Sequence, residues 1–270
     1  MIGRARLYKK MNFFDKALAD VDKAVSISPK VNAYFLRAEI LFELDRYEEA
    51  LSDFNKGIII DADNMEARFK RARTHYVLNN LEAALADLQY GLEREPNHSI
   101  MQAHCGNILH KLERPDEAIG YLNTAIGLDS KNAFAFSIRG AIFYEKKLLD
   151  QALSDLKKAE TLDSNDYFTL EMLGRIYYEK KEFDKSLAYL FQVIQHYTNE
   201  NNADLYELCG DIFSQQNSSE DAIFYYKQAL KQRDTSQILL KIAKEYGKLG
   251  NFQEEILIQY EAYQHQLTHS

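Results

Sequence analysis

Several residue types and patterns that define other protein classes are scarce in this sequence. It has two cysteines, three prolines and no tryptophan among 270 residues. Two cysteines cannot build a disulfide-rich scaffold, and Cys105 and Cys209 each precede a small glycine, so we interpret both as small core residues. The longest stretch without Asp, Glu, Lys or Arg is the polar segment 96–110. We therefore expect no membrane-spanning helix and no membrane partner.

Positive charge is also in deficit. The chain has 33 basic against 41 acidic residues, which gives a net charge of −8. This balance argues against a nucleic-acid partner, because affinity for nucleic acid comes mainly from neutralising phosphates. The first ten residues, MIGRARLYKK, contain no apolar segment and are not typical of a signal peptide. We expect a reduced, cytoplasmic protein.

Motifs that carry catalysis are missing as well. We find no phosphate-cradling glycine loop, no nucleophile elbow and no paired metal-ligand motif. The closest approach to a metal site comprises His98, His104, Cys105 and His110, but its six-residue gaps scatter these side chains around a helix. We predict no metal, no cofactor and no enzymatic activity, and expect His104 and His110 to line a groove.

The sequence does contain a regular repeat of 33 to 36 residues. Each repeat has two amphipathic helical patterns joined by a connection that is too short to let the helices separate, so the pair forms an antiparallel hairpin. A small residue recurs in the first helix and another, twelve positions later, in the second. The first-helix positions are Ala5, Ala38, Ala72, Gly106, Gly140, Gly174, Gly210 and Ala243. The second-helix positions are Ala17, Ala50, Ala84, Ala118, Ala152, Ser186, Ala222 and, degenerately, Glu255. We expect these residues to let the two helices approach closely.

This pattern resembles the tetratricopeptide repeat family, whose unit is a helix–turn–helix of 34 residues. The segments ALADVDKA, ALSDFNKG, ALADLQYG and ALSDLKKA carry the resemblance most clearly. The family's tryptophan is absent, and its closing proline remains only at Pro29 and Pro96. The resemblance implies an all-α fold, a right-handed superhelical α-solenoid of about eight antiparallel helix–turn–helix repeats in a single domain, 1–270. The predicted repeats are 1–30, 31–64, 65–98, 99–132, 133–166, 167–202, 203–235 and 236–270.

Four details qualify the repeat. Met1 falls in the middle of a first helix, so we expect repeat one to be incomplete, with the chain either a piece of a longer protein or covered at this end by a partner. An Asn-rich interruption at 198–204 predicts a longer loop. Glu255 and Gln259 replace a small and an apolar residue in repeat eight, which we expect of a last repeat, onto which nothing further packs. Arg4, Arg37, Arg71 and Arg139 recur just before the small residue, and we expect them to stack between repeats.

The family geometry implies that the first helices line a concave groove. Aromatic residues and arginine, which carry much of the binding energy at interfaces, are frequent on that stripe. The predicted partner-binding residues are Phe35, Phe42, Phe69, Arg73, Tyr76, Asn107, Phe134, Tyr144, Phe168, Arg175 and Tyr178. We therefore expect a non-catalytic scaffold or adaptor that binds a peptide or helical segment of another protein.

Alternatives remain open at this stage. Relatives that clamp the acidic C-terminal tails of chaperones use a set of Lys, Asn and Arg that no three repeats here reproduce. Asn107 matches one position, but Ala103 stands where a lysine is needed, so the carboxylate clamp is absent and a chaperone tail is disfavoured. The chain is alternatively the substrate-recognition arm or a subunit of a larger enzyme or multiprotein assembly. RNA binding by a helical-repeat code is disfavoured by the 34-residue period and the acidic balance.

Overall fold

The computed structural model describes residues 1–196, 202–233 and 235–269, and for 268 and 269 the backbone only. In this part of the chain there are sixteen α-helices and no strand, as expected for an all-α repeat solenoid. Two helices fall in each of the eight predicted repeats. The helices are α1 (Ile2–Lys10), α2 (Phe14–Ile27), α3 (Val31–Glu43), α4 (Tyr47–Ile60), α5 (Met65–Val77), α6 (Leu81–Leu92), α7 (Ser99–Lys111), α8 (Pro115–Leu128), α9 (Ala133–Glu145), α10 (Leu149–Leu162), α11 (Tyr167–Glu179), α12 (Phe183–His196), α13 (Ala203–Gln215), α14 (Ser219–Gln232), α15 (Ser236–Lys248) and α16 (Phe252–His269).

The helices form two compact units, unit 1 (Met1–Ile142) and unit 2 (Phe143–Ser270), with the boundary inside α9. Each unit is described by itself below. The expectation that 1–270 is a single domain stays a prediction.

A three-residue turn joins the two helices of every repeat, and all eight turns share one backbone geometry. The middle residue has a positive φ, from 57° at Asp45 to 74° at Gly250. The next residue donates its N–H to the carbonyl five positions back, as Phe13 does to Tyr8. This is the hydrogen-bond pattern of the Schellman motif, which satisfies the last carbonyls of the first helix while it reverses the chain.

Local chemistry also sets where several helices begin. Asn64 accepts a hydrogen bond from the N–H of Ala67 at the start of α5. At the start of α15, Thr235 accepts a hydrogen bond from the N–H of Ile238. Pro115 occupies the first position of α8, where its missing N–H costs no hydrogen bond. The interruption predicted at 198–204 has its residues 198–201 outside the described part of the chain.

The small residues lie where the paired helices approach most closely. Ala17, Ala50 and Ala84 are completely buried. A Cβ placed on Gly106 would lie 2.5 Å from Cγ of Leu122, which stands four residues after the small position of the next helix. Gly174 and Gly210 meet Leu190 and Tyr226 in the same way. The prediction that the small residues let the two helices of a hairpin approach closely is therefore confirmed at these positions.

The recurring arginines have a partner that the sequence analysis did not assign. Arg37 donates from Nε and Nη2 to the two carboxylate oxygens of Asp53, at 2.5 and 2.9 Å. Arg71 and Asp87 form the same bidentate pair. Each pair lies within a single repeat, so stacking between repeats is only part of what these arginines do. The stacking contact exists as well, because Nη1 of Arg37 also bonds Asp22 of the preceding repeat at 2.9 Å.

Glu255 of repeat eight contacts its own hairpin. A Cβ on Gly247 of α15 would lie 2.8 Å from a carboxylate oxygen of Glu255. The equivalent small residue of repeat one, Ala17, also packs in one cluster with Ile40 of the following repeat. The interpretation of Glu255 as the mark of a last repeat stays a prediction.

Candidate functional site

The first helices of unit 1 line a trough, which we call the unit 1 trough. A cavity of about 420 Å³ lies along α1, α3 and α5, and one of about 310 Å³ lies along α5, α7 and α9. A smaller cleft lined by Phe42, Lys70 and Arg73 shares Lys70 with the first cavity and Arg73 with the second. The two cavities are therefore parts of one continuous surface.

Half of the twelve residues that line the first cavity are charged. Glu39 of α3 accepts hydrogen bonds from Lys9 of α1 and from Lys70 of α5, the latter at 2.5 Å. Burial by itself would raise the pKa of Glu39, but the two ammonium groups outweigh it and lower that pKa. The same cavity is lined by Arg6 and Lys10, which have no acidic partner in the described part of the chain. This end of the trough therefore carries a surplus of positive charge, although the whole chain is acidic.

The second cavity is predominantly aromatic. The ring of His104 lies 5.3 Å from that of Phe69 and 5.1 Å from that of Phe134. On the other side, Nδ2 of Asn107 donates to the hydroxyl of Tyr76 at 3.1 Å. The cavity therefore offers ring faces from three first helices. Such a surface suits a bulky apolar side chain.

His104 is held neutral in this cavity. Burial lowers its pKa to about 4, and the positive charge of Arg73 adds to that effect. The imidazole therefore contributes an uncharged ring at neutral pH. Arg73 itself lies over the ring of Phe42, 4.7 Å from the ring centroid, and so connects the aromatic cavity with the charged one.

Phe35 and Asn107 are the buried members of the predicted set in unit 1, each 9% exposed. The ring of Phe35 lies 6.4 Å from that of Phe54. A Cβ on Gly57 would come within 2.2 Å of the Phe35 ring, so glycine at 57 makes room for it. Phe35 thus forms the buried floor of the charged cavity.

The predicted residues of unit 2 are more dispersed. Tyr144 donates from its hydroxyl to Oε1 of Glu179 at 3.5 Å, and Arg175 is paired with Glu171. The hydroxyl of Tyr178 accepts a hydrogen bond from Gln215 at 2.9 Å. The ring of Phe168 is exposed. A cavity of about 300 Å³ in unit 2 is lined by residues 181–185 and by Gln216, and by none of these four residues.

The structure thus brings together six of the predicted residues, Phe42, Phe69, Arg73, Tyr76, Asn107 and Phe134. His104 lines the groove as expected, although it was not among the predicted binding residues. The sequence analysis did not select Lys9 as a binding residue, because α1 has few aromatic residues and a single charged residue does not by itself indicate a binding site. The pairing of Lys9 and Lys70 with Glu39, three repeats meeting at one carboxylate, is visible only in three dimensions.

Comparison with known families decides the classification. Sequence models described as Tetratricopeptide repeat match residues 2–67, 69–133 and 203–235, which together cover more than half of the chain. The chain belongs to the tetratricopeptide repeat family. No curated protein matches this tetratricopeptide repeat protein.

Solved structures support the same fold. A tetratricopeptide repeat protein from Parabacteroides merdae ATCC 43184 is 17% identical with a TM-score of 0.69, and the match covers 90% of this chain and 96% of that one. PilW, a type IV pilus biogenesis factor, is 18% identical with a TM-score of 0.66, over 74% and 92% of the two chains. The Cut9–Hcn1 hetero-tetramer of the APC/C gives 16% identity and a TM-score of 0.67, over 92% and 49%. At these identities the likeness concerns the fold alone.

The family membership has a coarse functional meaning. Proteins of the tetratricopeptide repeat family generally act as non-catalytic scaffolds that bind other proteins. Among the described residues, no group of His, Cys, Asp and Glu side chains is arranged to hold a metal ion. No helix in the described ranges is long and apolar enough to cross a membrane. Cys105 and Cys209 are both buried free thiols, and burial raises the pKa of each to about 12.

Proposed function

We propose that the protein recruits another protein by holding a peptide or helical segment of it in the unit 1 trough. The observation that supports this is the continuity of the charged and aromatic cavities across α1, α3, α5, α7 and α9. The bound segment carries a bulky apolar side chain for the cavity around His104. Phe42, Phe69, Arg73, Tyr76, Asn107 and Phe134 form the contact surface, and Phe35 supports it from below.

The proposed contact residues can supply much of the binding free energy of a transient complex. A micromolar complex needs about −8 kcal/mol, and a few aromatic and arginine anchors at about 1–2 kcal/mol each supply a large part of it. In unit 2 we propose Tyr144, Phe168, Arg175 and Tyr178 as a separate contact region. The absence of a carboxylate clamp stays a prediction, and so does the exclusion of chaperone tails. Asn107 donates its amide to Tyr76, which is consistent with a role in shaping the cavity.

The test uses peptides selected from a random displayed library on the immobilised protein. We expect a selected peptide to bind the wild-type chain with a micromolar Kd in fluorescence anisotropy. The double variant Phe69→Ala with Tyr76→Ala should bind at least tenfold more weakly. Arg73→Ala, whose side chain is exposed, should weaken binding about threefold to tenfold without a risk to folding.

Phe224→Ala on α14 is the matched control, because it removes an exposed aromatic ring elsewhere on the molecule. It should bind like the wild type, and far-ultraviolet circular dichroism should report unchanged helicity for all variants. Unchanged affinity in both trough variants would contradict the proposal, because the peptide would then bind another surface.

A further inference from the structure

The lining of the unit 1 trough has more positive than negative charge. The two cavities and the cleft between them are lined by three acidic residues and by five basic residues, Arg6, Lys9, Lys10, Lys70 and Arg73. The whole chain, by contrast, has a net charge of −8. A local surplus of positive charge on an acidic protein favours a partner that brings negative charge to this place.

The three acidic residues account for only part of that positive charge. Glu39 accepts hydrogen bonds from Lys9 and Lys70, and Glu66 accepts one from Lys70 at 2.6 Å. The third acidic residue, Glu43, lines the cleft between the two cavities. In the described part of the chain, the two basic residues of the first cavity that form no ion pair both lie on α1.

These two residues are Arg6 and Lys10. They stand four positions apart, so their side chains share one face of α1, one turn apart. Both are exposed, and both line the first cavity of about 420 Å³. Asn32 of α3 lines the same cavity and is exposed too, so its amide group is open to a ligand. The end of the trough at α1 therefore offers two cations and an amide donor to a carboxylate that comes from outside.

The other end of the trough lacks this charge. Among the described residues that line the second cavity, Arg73 is the one that is charged, because His104 is neutral at neutral pH. An apolar side chain is the better occupant there, since a carboxylate would lose its hydration against ring faces. The two ends thus select different side chains, and a segment that has both kinds fits the trough in one direction only.

We propose that the segment bound in the unit 1 trough carries acidic side chains at one end, whose carboxylates contact Arg6 and Lys10 while its bulky apolar side chain lies in the cavity around His104. This inference rests on the proposed function and adds to it the charge and the direction of the bound segment. Exposed ion pairs of this kind each contribute little free energy, so they select and orient the segment more than they tighten the complex.

The first experiment reads the sequences of peptides that are selected on the wild-type chain from a random displayed library. We expect Asp and Glu to be enriched on one side of a bulky apolar residue, and always on the same side, because the trough has a single charged end. Selection on the double variant Arg6→Gln with Lys10→Gln should lose this enrichment. Selected peptides that bind without an excess of Asp and Glu would contradict the inference and leave the proposed function standing.

The second experiment measures the contact itself by fluorescence anisotropy. It uses one selected peptide with an amidated C-terminus, so that side chains are its only carboxylates. We expect Arg6→Gln with Lys10→Gln to raise the Kd about threefold to tenfold, and replacement of the peptide's acidic residues by Asn and Gln to raise the Kd for the wild type to a similar extent. The two changes should not add, since each removes the same contact.

Lys16→Gln with Lys23→Gln is the matched control. Both lysines are exposed on α2, line none of the cavities of the trough and change the net charge by the same amount. This variant should bind like the wild type, and circular dichroism should report unchanged helicity for both double variants.

The inference is overturned if neutralising the peptide weakens binding to the Arg6, Lys10 variant as much as to the wild type, because the carboxylates would then contact another surface. A chain that binds no selected peptide would contradict the proposed function, and this inference with it.

Discussion

Repeats one to three and repeats six and seven solve the same packing problem with opposite chemistry. In the first group an arginine of the first helix pairs with an aspartate of the second, as in Arg37–Asp53 and Arg71–Asp87. In the second group the same two positions hold Leu173 with Tyr189, and Cys209 with Tyr225. The residues at the two positions differ together between the two groups of repeats. The fold therefore requires two residues that suit each other at these positions, and not one particular residue type.

The aromatic version of the pair extends along the helices. The ring of Tyr189 stacks on that of Tyr177 at 5.7 Å, and its hydroxyl bonds Lys157 and Glu160 of the preceding repeat. The ring of Tyr225 stacks on that of Phe213 at 5.2 Å. These repeats therefore bury ring area where the others bury a charge that must be compensated.

The largest expected effect comes from breaking the ionic pair. Arg37→Leu leaves the Asp53 carboxylate, whose side chain is 3% exposed, with only the distant Lys56 at 3.5 Å. We expect the free energy of unfolding to fall by about 3 kcal/mol, because an unpaired buried charge is costly. Urea unfolding at neutral pH measures this loss. Arg46→Leu breaks the exposed Arg46–Glu49 pair and should cost no more than about 0.5 kcal/mol. Equal losses in the two variants would contradict the distinction.

A smaller net effect is expected when the pair is exchanged as a unit. Arg37→Leu together with Asp53→Tyr copies the residues of repeat six into repeat two. Replacing a buried ion pair with apolar residues is often nearly neutral, so we expect the double variant to recover about 2 kcal/mol of the loss caused by Arg37→Leu. The same urea titration gives the coupling energy when Asp53→Tyr is also measured alone. A double variant less stable than Arg37→Leu would mean that tyrosine needs the surrounding rings of unit 2.

The smallest effect concerns the hydroxyl of the aromatic pair. Tyr189→Phe removes the hydrogen bonds to Lys157 and Glu160, at 2.8 and 2.9 Å, and keeps the ring stack. We expect a loss of about 1 kcal/mol in the free energy of unfolding. Tyr225→Phe is the control, because its hydroxyl has no hydrogen-bond partner in the described part of the chain, and it should cost less than about 0.5 kcal/mol. A larger loss in Tyr225→Phe than in Tyr189→Phe would show that the hydroxyls are not what distinguishes these repeats.

Much of the fold was predictable because the repeat makes one local rule visible eight times. The helix pairs, their short connections, the small residues at their closest approach and Pro115 at a helix start all follow from spacing and residue type. The pairing of Arg37 with Asp53 was also readable, since both positions change together from repeat to repeat, but the arginines were considered without their aspartates. The contact of Glu255 with Gly247 was not predicted, because the sequence does not show how a long side chain fits at a position that is small in the other repeats.

The candidate site was less accessible to prediction. The helical stripe correctly selects side chains that share a face, and Phe69, Arg73 and Tyr76 do meet around one cavity. The stripe does not separate Phe35, which is buried over Gly57, from the exposed Arg73, because the space beside a side chain depends on which residue of another helix lies opposite.

The order of residues along this chain is sufficient to give the repeat, its hairpins and the family, because periodic small and apolar positions act through contacts between residues close in sequence. Only the packed structure reveals that Lys9 and Lys70 meet at Glu39 and that His104 lies between Phe69 and Phe134. These contacts join residues about 30 or more positions apart, and such contacts are not encoded in a local pattern.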